Sequence, residues 1–239
     1  MIDFHIERLS PLCAEFGLEI NGEITDRLNA YGNLLLEWNE KINLTAITEP
    51  EEILYKHFYD SLLFLKNAEI PQGGTVIDVG TGAGFPGVVL KTARPDIKIT
   101  LLDGLNKRIT FLTELCGSLG LDGVTALHSR AEEAAQSAEH REKYDVVCAR
   151  AVAAMPVLLE YCLPFAKIGG AFTAMKGPSA EEELKLCAKA IPLLGGDKPN
   201  IICETLPNND SRTFVTFKKI SHTPPKYPRN PAKIRKQPL

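Results

Sequence analysis

Apolar residues recur at helical spacing over the first seventy positions and then in short β-rich runs separated by helices. Ile6, Leu9, Cys13 and Phe16 share one face, as do Leu28, Tyr31, Leu35, Trp38 and Ile42. A period of three to four marks amphipathic helices. Thr48-Glu-Pro-Glu51 reads as a third helix start, with Thr48 as cap, Pro50 in the first turn and Glu51 reaching back to the cap. That helix would bury Leu54, Phe58, Leu62 and Leu65. After Pro71-Gln-Gly-Gly74 the runs predict strands at 75–79, 97–102, 123–127, 144–148 and 171–175. Helices are predicted at 105–119, 156–166 and 181–190. Two late strands, 201–204 and 213–218, have no helix between them, which predicts an antiparallel hairpin. Strands alternating with helices imply a parallel sheet covered on both faces, an α/β fold. The chain thus divides into a helical cap (1–70), an α/β body (71–220) and a tail (221–239) forming one compact unit. Pro224, Pro225, Pro228 and Pro231 lead us to expect no regular structure in the tail.

Composition sharpens this picture. The 239 residues are 44% apolar and 24% charged, as in a soluble globular protein rather than a disordered or fibrous chain. No apolar run approaches the ~18 residues of a membrane span. The opening MIDFHIERLSPL has acidic residues and no signal-like stretch, so a cytoplasmic protein is expected. Cys13, Cys116, Cys148, Cys162, Cys187 and Cys203 form no Cys-x-x-Cys pair, which speaks for reduced thiols and against a metal site. The net charge of −3 hides a split. From Ser211 onward there are eight Lys or Arg and no acid, so the tail end carries +8 and residues 1–210 carry −11. Local patches set the field, so a nucleic-acid partner stays open.

The strongest chemical signal is Asp78-Val-Gly80-Thr-Gly82-Ala-Gly84-Phe-Pro-Gly87, directly after the first strand. Alternate glycines allow a tight turn and close contact between a ligand and bare backbone, at the strand end where open α/β sheets bind ligands. Gly82 to Gly87 fits the dinucleotide pattern G-x-G-x-x-G, with Asp103 as the ribose acid. An acid before G-x-G-x-G, here Asp78, fits S-adenosylmethionine instead, and Asp103 serves that reading too. The late hairpin and the lack of a second nucleotide-binding half favour the second reading. No Gly-Lys-Ser/Thr follows the loop, so it is not a P-loop.

Six strings in order carry a more specific likeness: Asn43-Leu-Thr-Ala-Ile47, His57-Phe-Tyr-Asp-Ser61, the glycine loop with its Phe-Pro-Gly extension, Leu102-Asp103 with Asn106-Lys-Arg108, Arg130-Ala-Glu132 and Cys148-Ala-Arg-Ala-Val152. With them the chain resembles the bacterial 16S ribosomal RNA guanine-N7 methyltransferase family, also called glucose-inhibited division protein B. The resemblance implies a class I, Rossmann-like methyltransferase with a mostly parallel seven-stranded sheet and an N-terminal helical cap. It implies S-adenosylmethionine as cofactor and, as substrate, a guanine in the 530 loop of 16S rRNA. The partner would be the small subunit or its assembly intermediate, met by a monomer.

On that resemblance Gly80, Gly82 and Gly84 pass beneath the methionine part and ribose, and Phe85 lines the pocket near the sulfonium. Asp103 holds the ribose hydroxyls, or else only caps the helix at Leu105. Ala131 and Glu132 flank the adenine, although Ser129-Arg-Ala-Glu132 is itself a capping box. Arg150 binds the cofactor carboxylate or an RNA phosphate, or pairs at the sheet edge. RNA contacts are expected from His57, Lys107, Arg108 and Lys176, and from Lys226, Arg229, Lys233, Arg235 and Lys236 in the tail; solvated charges and a core histidine are the alternatives.

The chemistry narrows the acceptor. Exocyclic-amine methylation usually uses Asn/Asp-Pro-Pro-aromatic after the fourth strand, where Cys148-Ala-Arg-Ala stands instead. Cytosine C5 methylation needs a cysteine nucleophile, typically in a Pro-Cys setting that Cys148 lacks. Guanine N7 has a lone pair and no hydrogen, so in-line attack needs no base, and no catalytic residue is assigned. Two other functions compete: an NAD-dependent oxidoreductase and a non-catalytic RNA-binding assembly factor.

Overall fold

A computed structural model describes residues 1–239. Seven strands form one sheet: β1 (Thr75–Val79), β2 (Lys98–Asp103), β3 (Val124–His128), β4 (Tyr144–Arg150), β5 (Ala166–Lys176), β6 (Asn200–Thr205) and β7 (Ser211–Lys218). Their order is β3-β2-β1-β4-β5-β7-β6. The first five are parallel, and β7 runs antiparallel to both β5 and β6. This is the mostly parallel seven-stranded sheet that the resemblance implies.

Side chains alternate across a strand, and the core divides accordingly. Val76, Ile99, Leu101, Val146 and Cys148 face one apolar cluster, shared with the helices Gly22–Ile42 and Asn106–Ser118. Ile77, Leu102, Val147, Phe172 and Val215 face the other, closed by the helix Met155–Cys162. The N-terminal helices share the first cluster with the sheet, through Tyr31, Phe58 and Leu62.

Three local expectations change. The third helix is capped by Glu49 without a side-chain bond, and Ile53–Tyr59 widens into a π-helix. The helix expected at 181–190 splits into Ala180–Lys185 and Ala190–Leu193. The tail, expected to be irregular, ends in the helix Pro231–Lys236. There the Asn230 side chain accepts from Lys233 N at 2.9 Å and Pro231 opens the first turn, two standard helix-start devices. The prolines break residues 224–230 but begin this helix. No helix is long and apolar enough to cross a membrane.

Candidate cofactor and acceptor cavities

The glycine loop is fastened at both ends. Gly80 N and Thr81 N both donate to Leu102 O, at 2.8 and 3.0 Å. The fully buried Asp78 carboxylate accepts from Thr81 Oγ1 at 2.7 Å and from Gly87 N at 2.9 Å, both through Oδ2. Its Oδ1 has no partner, and burial pushes the carboxyl up to about 6. Gly80 has φ 71°, and a Cβ there would meet Val152 Cγ2 at 2.7 Å. Conformation and close approach both require glycine at that position.

A cavity of about 590 Å³ opens at the carboxyl ends of β1 and β2, within the size range of small-molecule sites. Gly80, Asp103, Ala131 and Glu132, four of the residues expected at a cofactor, line it. Asp103 Oδ1 accepts from Leu105 N at 2.9 Å, and Oδ2 accepts from Gly82 N at 3.0 Å and Arg108 Nη1 at 3.1 Å. A carboxylate offers about four acceptor sites, so capacity remains for a ligand hydroxyl. Asp103 therefore anchors the loops while edging the cavity. Ser129 forms no capping box: Arg130 is the cap of the helix Ala131–Ala134 and Ser129 Oγ bonds Arg130 O. Glu132 is thus released from that duty; it is 8% exposed, and its carboxylate makes no hydrogen bond. The cavity size, the acid beside Gly80 and the bare backbone fit a nucleoside-bearing ligand.

Other expected cofactor residues lie outside this cavity. Gly82 and Gly84 shape the turn without lining it. Gly84 lies against Tyr31 Oη, 2.7 Å from where a Cβ would stand. Phe85 is buried rather than pocket-lining. Its ring is stacked between Tyr31 at 5.0 Å and His57 at 4.3 Å. Three aromatic rings in register bury area that a pocket wall would leave wet.

Arg150 does not line the 590 Å³ cavity. Its Nη1 donates to Asp60 Oδ2 at 2.6 Å and to Lys56 O at 3.1 Å, and its guanidinium lies 5.1 Å from the Phe85 ring centre. Arg212 Nε donates to the other Asp60 oxygen at 2.8 Å, so one buried carboxylate holds two arginines. Arg150 Nη2 stands 3.2 Å from His57 Nδ1. Arginine can only donate, so Nδ1 accepts and the proton sits on Nε2, facing Thr45 Oγ1 at 2.9 Å. Burial, then the Arg150 charge, lower the His57 pKa to about 3. His57 is a buried neutral histidine.

These residues border a second cavity, of about 290 Å³, with Lys56, Lys176 and Arg212. Ala151 lines both cavities and has φ 56°, a conformation unusual for a residue with a Cβ. Lys176 is already engaged, with Glu183 at 2.8 Å and Ala153 O at 3.0 Å.

Of the remaining RNA candidates, Lys107, Lys226, Lys233 and Lys236 are exposed. Arg108 edges the first cavity through its Asp103 contact. Arg229 is a correction: its guanidinium clasps the fully buried Glu160, so it fastens the tail rather than facing solvent. Arg235 is exposed as well, and it lines the 590 Å³ cavity. Sequence reasoning missed Tyr161 and residues 151–153 in the cavity wall. Cys148 is buried, its thiol pushed well up by burial, which leaves no thiolate for attack.

A family model described as "GidB: rRNA small subunit methyltransferase G" matches residues 24–210. The "Ribosomal RNA small subunit methyltransferase G" of Alkaliphilus metalliredigens is 50% identical over 228 residues, 95% of each chain. Its namesake from Desulforamulus reducens is 50% identical over 232 residues, 97% of each. A solved SAM-dependent O-methyltransferase from Thermotoga maritima shares the fold, with a TM-score of 0.52, 15% identity, and coverage of 79% of this chain and 72% of its own.

Proposed function

The chain belongs to the rRNA small subunit methyltransferase G family, and from that premise we propose that it moves a methyl group from S-adenosylmethionine to N7 of a guanine in the 530 loop of 16S rRNA. The enzyme is an S-adenosylmethionine-dependent rRNA methyltransferase; the oxidoreductase and non-catalytic readings find no support. The observation that carries the finer reading is the pair of cavities meeting at Ala151, one edged by Asp103 and Glu132, the other basic.

When bound, S-adenosylmethionine supplies a methyl group on a positively charged sulfur. Asp103 and the Gly80 backbone would orient the nucleoside part, and Ala131 and Glu132, which line the same cavity, would border it. The chain's task is to hold two reactants in line, since orientation alone lowers such barriers substantially. Guanine N7 attacks with its own lone pair and releases no proton. His57 suits that demand: both ring nitrogens are engaged and burial keeps it neutral, so it positions neighbours rather than accepting a proton. Arg150 and Arg212 share the single carboxylate of Asp60, and Lys56 pairs with Glu52, so the second cavity keeps one net positive charge, suited to a phosphate flanking a splayed base. The exposed Lys107, Lys226, Lys233 and Lys236 extend that contact over the small subunit or its assembly intermediate, met by a single copy of the chain.

Incubation with methyl-tritiated cofactor and unmodified 16S rRNA, free or within small subunits, tests this reading. Label on 16S rRNA supports it; label confined to other RNAs contradicts it.

A further inference from the structure

The C-terminal helix packs against the helix Met155–Cys162, with Ile234 fully buried beneath it. Arg229 clamps the preceding turn to Glu160. Arg141 donates to the carbonyls of Thr223 and Tyr227, and Gln136 to that of Pro228. The tail is therefore a fixed wall of the fold. Its Arg235 lines the 590 Å³ cavity and makes neither an ion pair nor a hydrogen bond within the chain. Glu132, more than nine-tenths buried, faces the same cavity with its carboxylate equally unpaired. Val157 and Tyr161, one helical turn apart, supply the apolar surface between them.

Glu132 shares the cavity with two unpaired arginines, Arg235 on the tail and Arg130 beside Gly104, and pairs with neither, which leaves room for something between them. A planar cation, an apolar wall and a carboxylate acceptor together suit a flat aromatic ring bearing an exocyclic amine. The amine donates to the carboxylate, while the guanidinium lies over the ring face. We infer that Arg235 is a cofactor-contacting residue, stacking on the base of the bound nucleoside, so that the tail completes the cofactor pocket. This rests on the first cavity's being the cofactor site. It reassigns Arg235 from RNA to cofactor, and it makes tail docking and cofactor binding mutually reinforcing.

Calorimetric titration of S-adenosylhomocysteine into the full-length protein tests it, with Arg235→Ala, Arg235→Lys and the exposed neighbour Lys236→Ala. Arg235→Ala is expected to bind at least five-fold more weakly, Arg235→Lys to recover only part of the loss, and Lys236→Ala to stay within two-fold of the parent. Saturating S-adenosylhomocysteine should also slow tryptic cleavage within residues 233–236 of the parent protein. Parent-like affinity in Arg235→Ala, or full recovery in Arg235→Lys, overturns the stacking role. If Asp103→Ala loses affinity while Arg235→Ala does not, the inference falls and the cofactor site stands. A parent protein that fails to bind S-adenosylhomocysteine sinks both.

Discussion

Arg229 and Glu160 meet side-on: Nε lies 2.9 Å from Oε1 and Nη2 lies 2.7 Å from Oε2, with Glu160 wholly buried. Glu160 sits within an otherwise apolar helix, and Arg229 Nη2 also reaches Gln237 O at 3.0 Å. Removing one partner of a buried pair strands the other charge, at about 3–5 kcal/mol. Arg229→Ala should therefore unfold that much more easily in urea. It should also expose the tail to trypsin. Loss of under ~1 kcal/mol would show that the pair is solvated in solution.

His57 gives a pH dependence whose sign follows from its surroundings. Burial and Arg150 lower its pKa from 6.5 to about 3. The folded chain binds its proton less readily than the unfolded chain. Its stability contribution is complete above pH 6.5 and drains away as pH falls toward 3. Between pH 7 and pH 5 the loss from this group comes to about 2 kcal/mol, at roughly 1.4 kcal/mol per pH unit. Denaturation of the parent and of His57→Gln at both pH values isolates it. The parent should lose about 2 kcal/mol more than the variant, and equal losses would refute a buried neutral imidazole.

Asp103 joins the glycine loop to the cavity. Charge-assisted hydrogen bonds of this kind contribute about 1.5–3 kcal/mol. Asp103→Ala should weaken S-adenosylhomocysteine binding by roughly ten- to a hundred-fold, read by calorimetry. Unchanged affinity would confine Asp103 to its bonds with Gly82 and Leu105.

The exposed lysines predict a salt effect. Neutralising Lys226, Lys233 and Lys236 together removes three exposed charges. Each lost phosphate contact lowers the salt slope of single-stranded RNA binding by about 0.7. The triple glutamine variant should therefore show a slope shallower by about 2. A parent-like slope would mean that these lysines never reach RNA.

The sheet was legible because its strands are short, apolar runs whose alternation survives burial on both faces, and the hairpin because no helix pattern lies between 204 and 213. Gly80 and Asp103 were legible because their positions at strand ends follow from the chain's local order. Long-range pairing was not. Nothing near Arg150 in sequence shows that Asp60, ninety positions earlier, holds it. The resemblance put Phe85 in the pocket, and its stacking partners Tyr31 and His57 come from two earlier helices that no local pattern ties to it. The tail carried a usable signal, Asn230-Pro231 ahead of Ile234, masked by the prolines around it.

The position of the transferred methyl tests the central claim most directly. Labelled 16S rRNA would be treated with borohydride and aniline, which cleave the strand at N7-methylguanosine. A single new cleavage at a guanine of the 530 loop is the predicted result. Label incorporated without such cleavage, or cleavage elsewhere in the RNA, would contradict it.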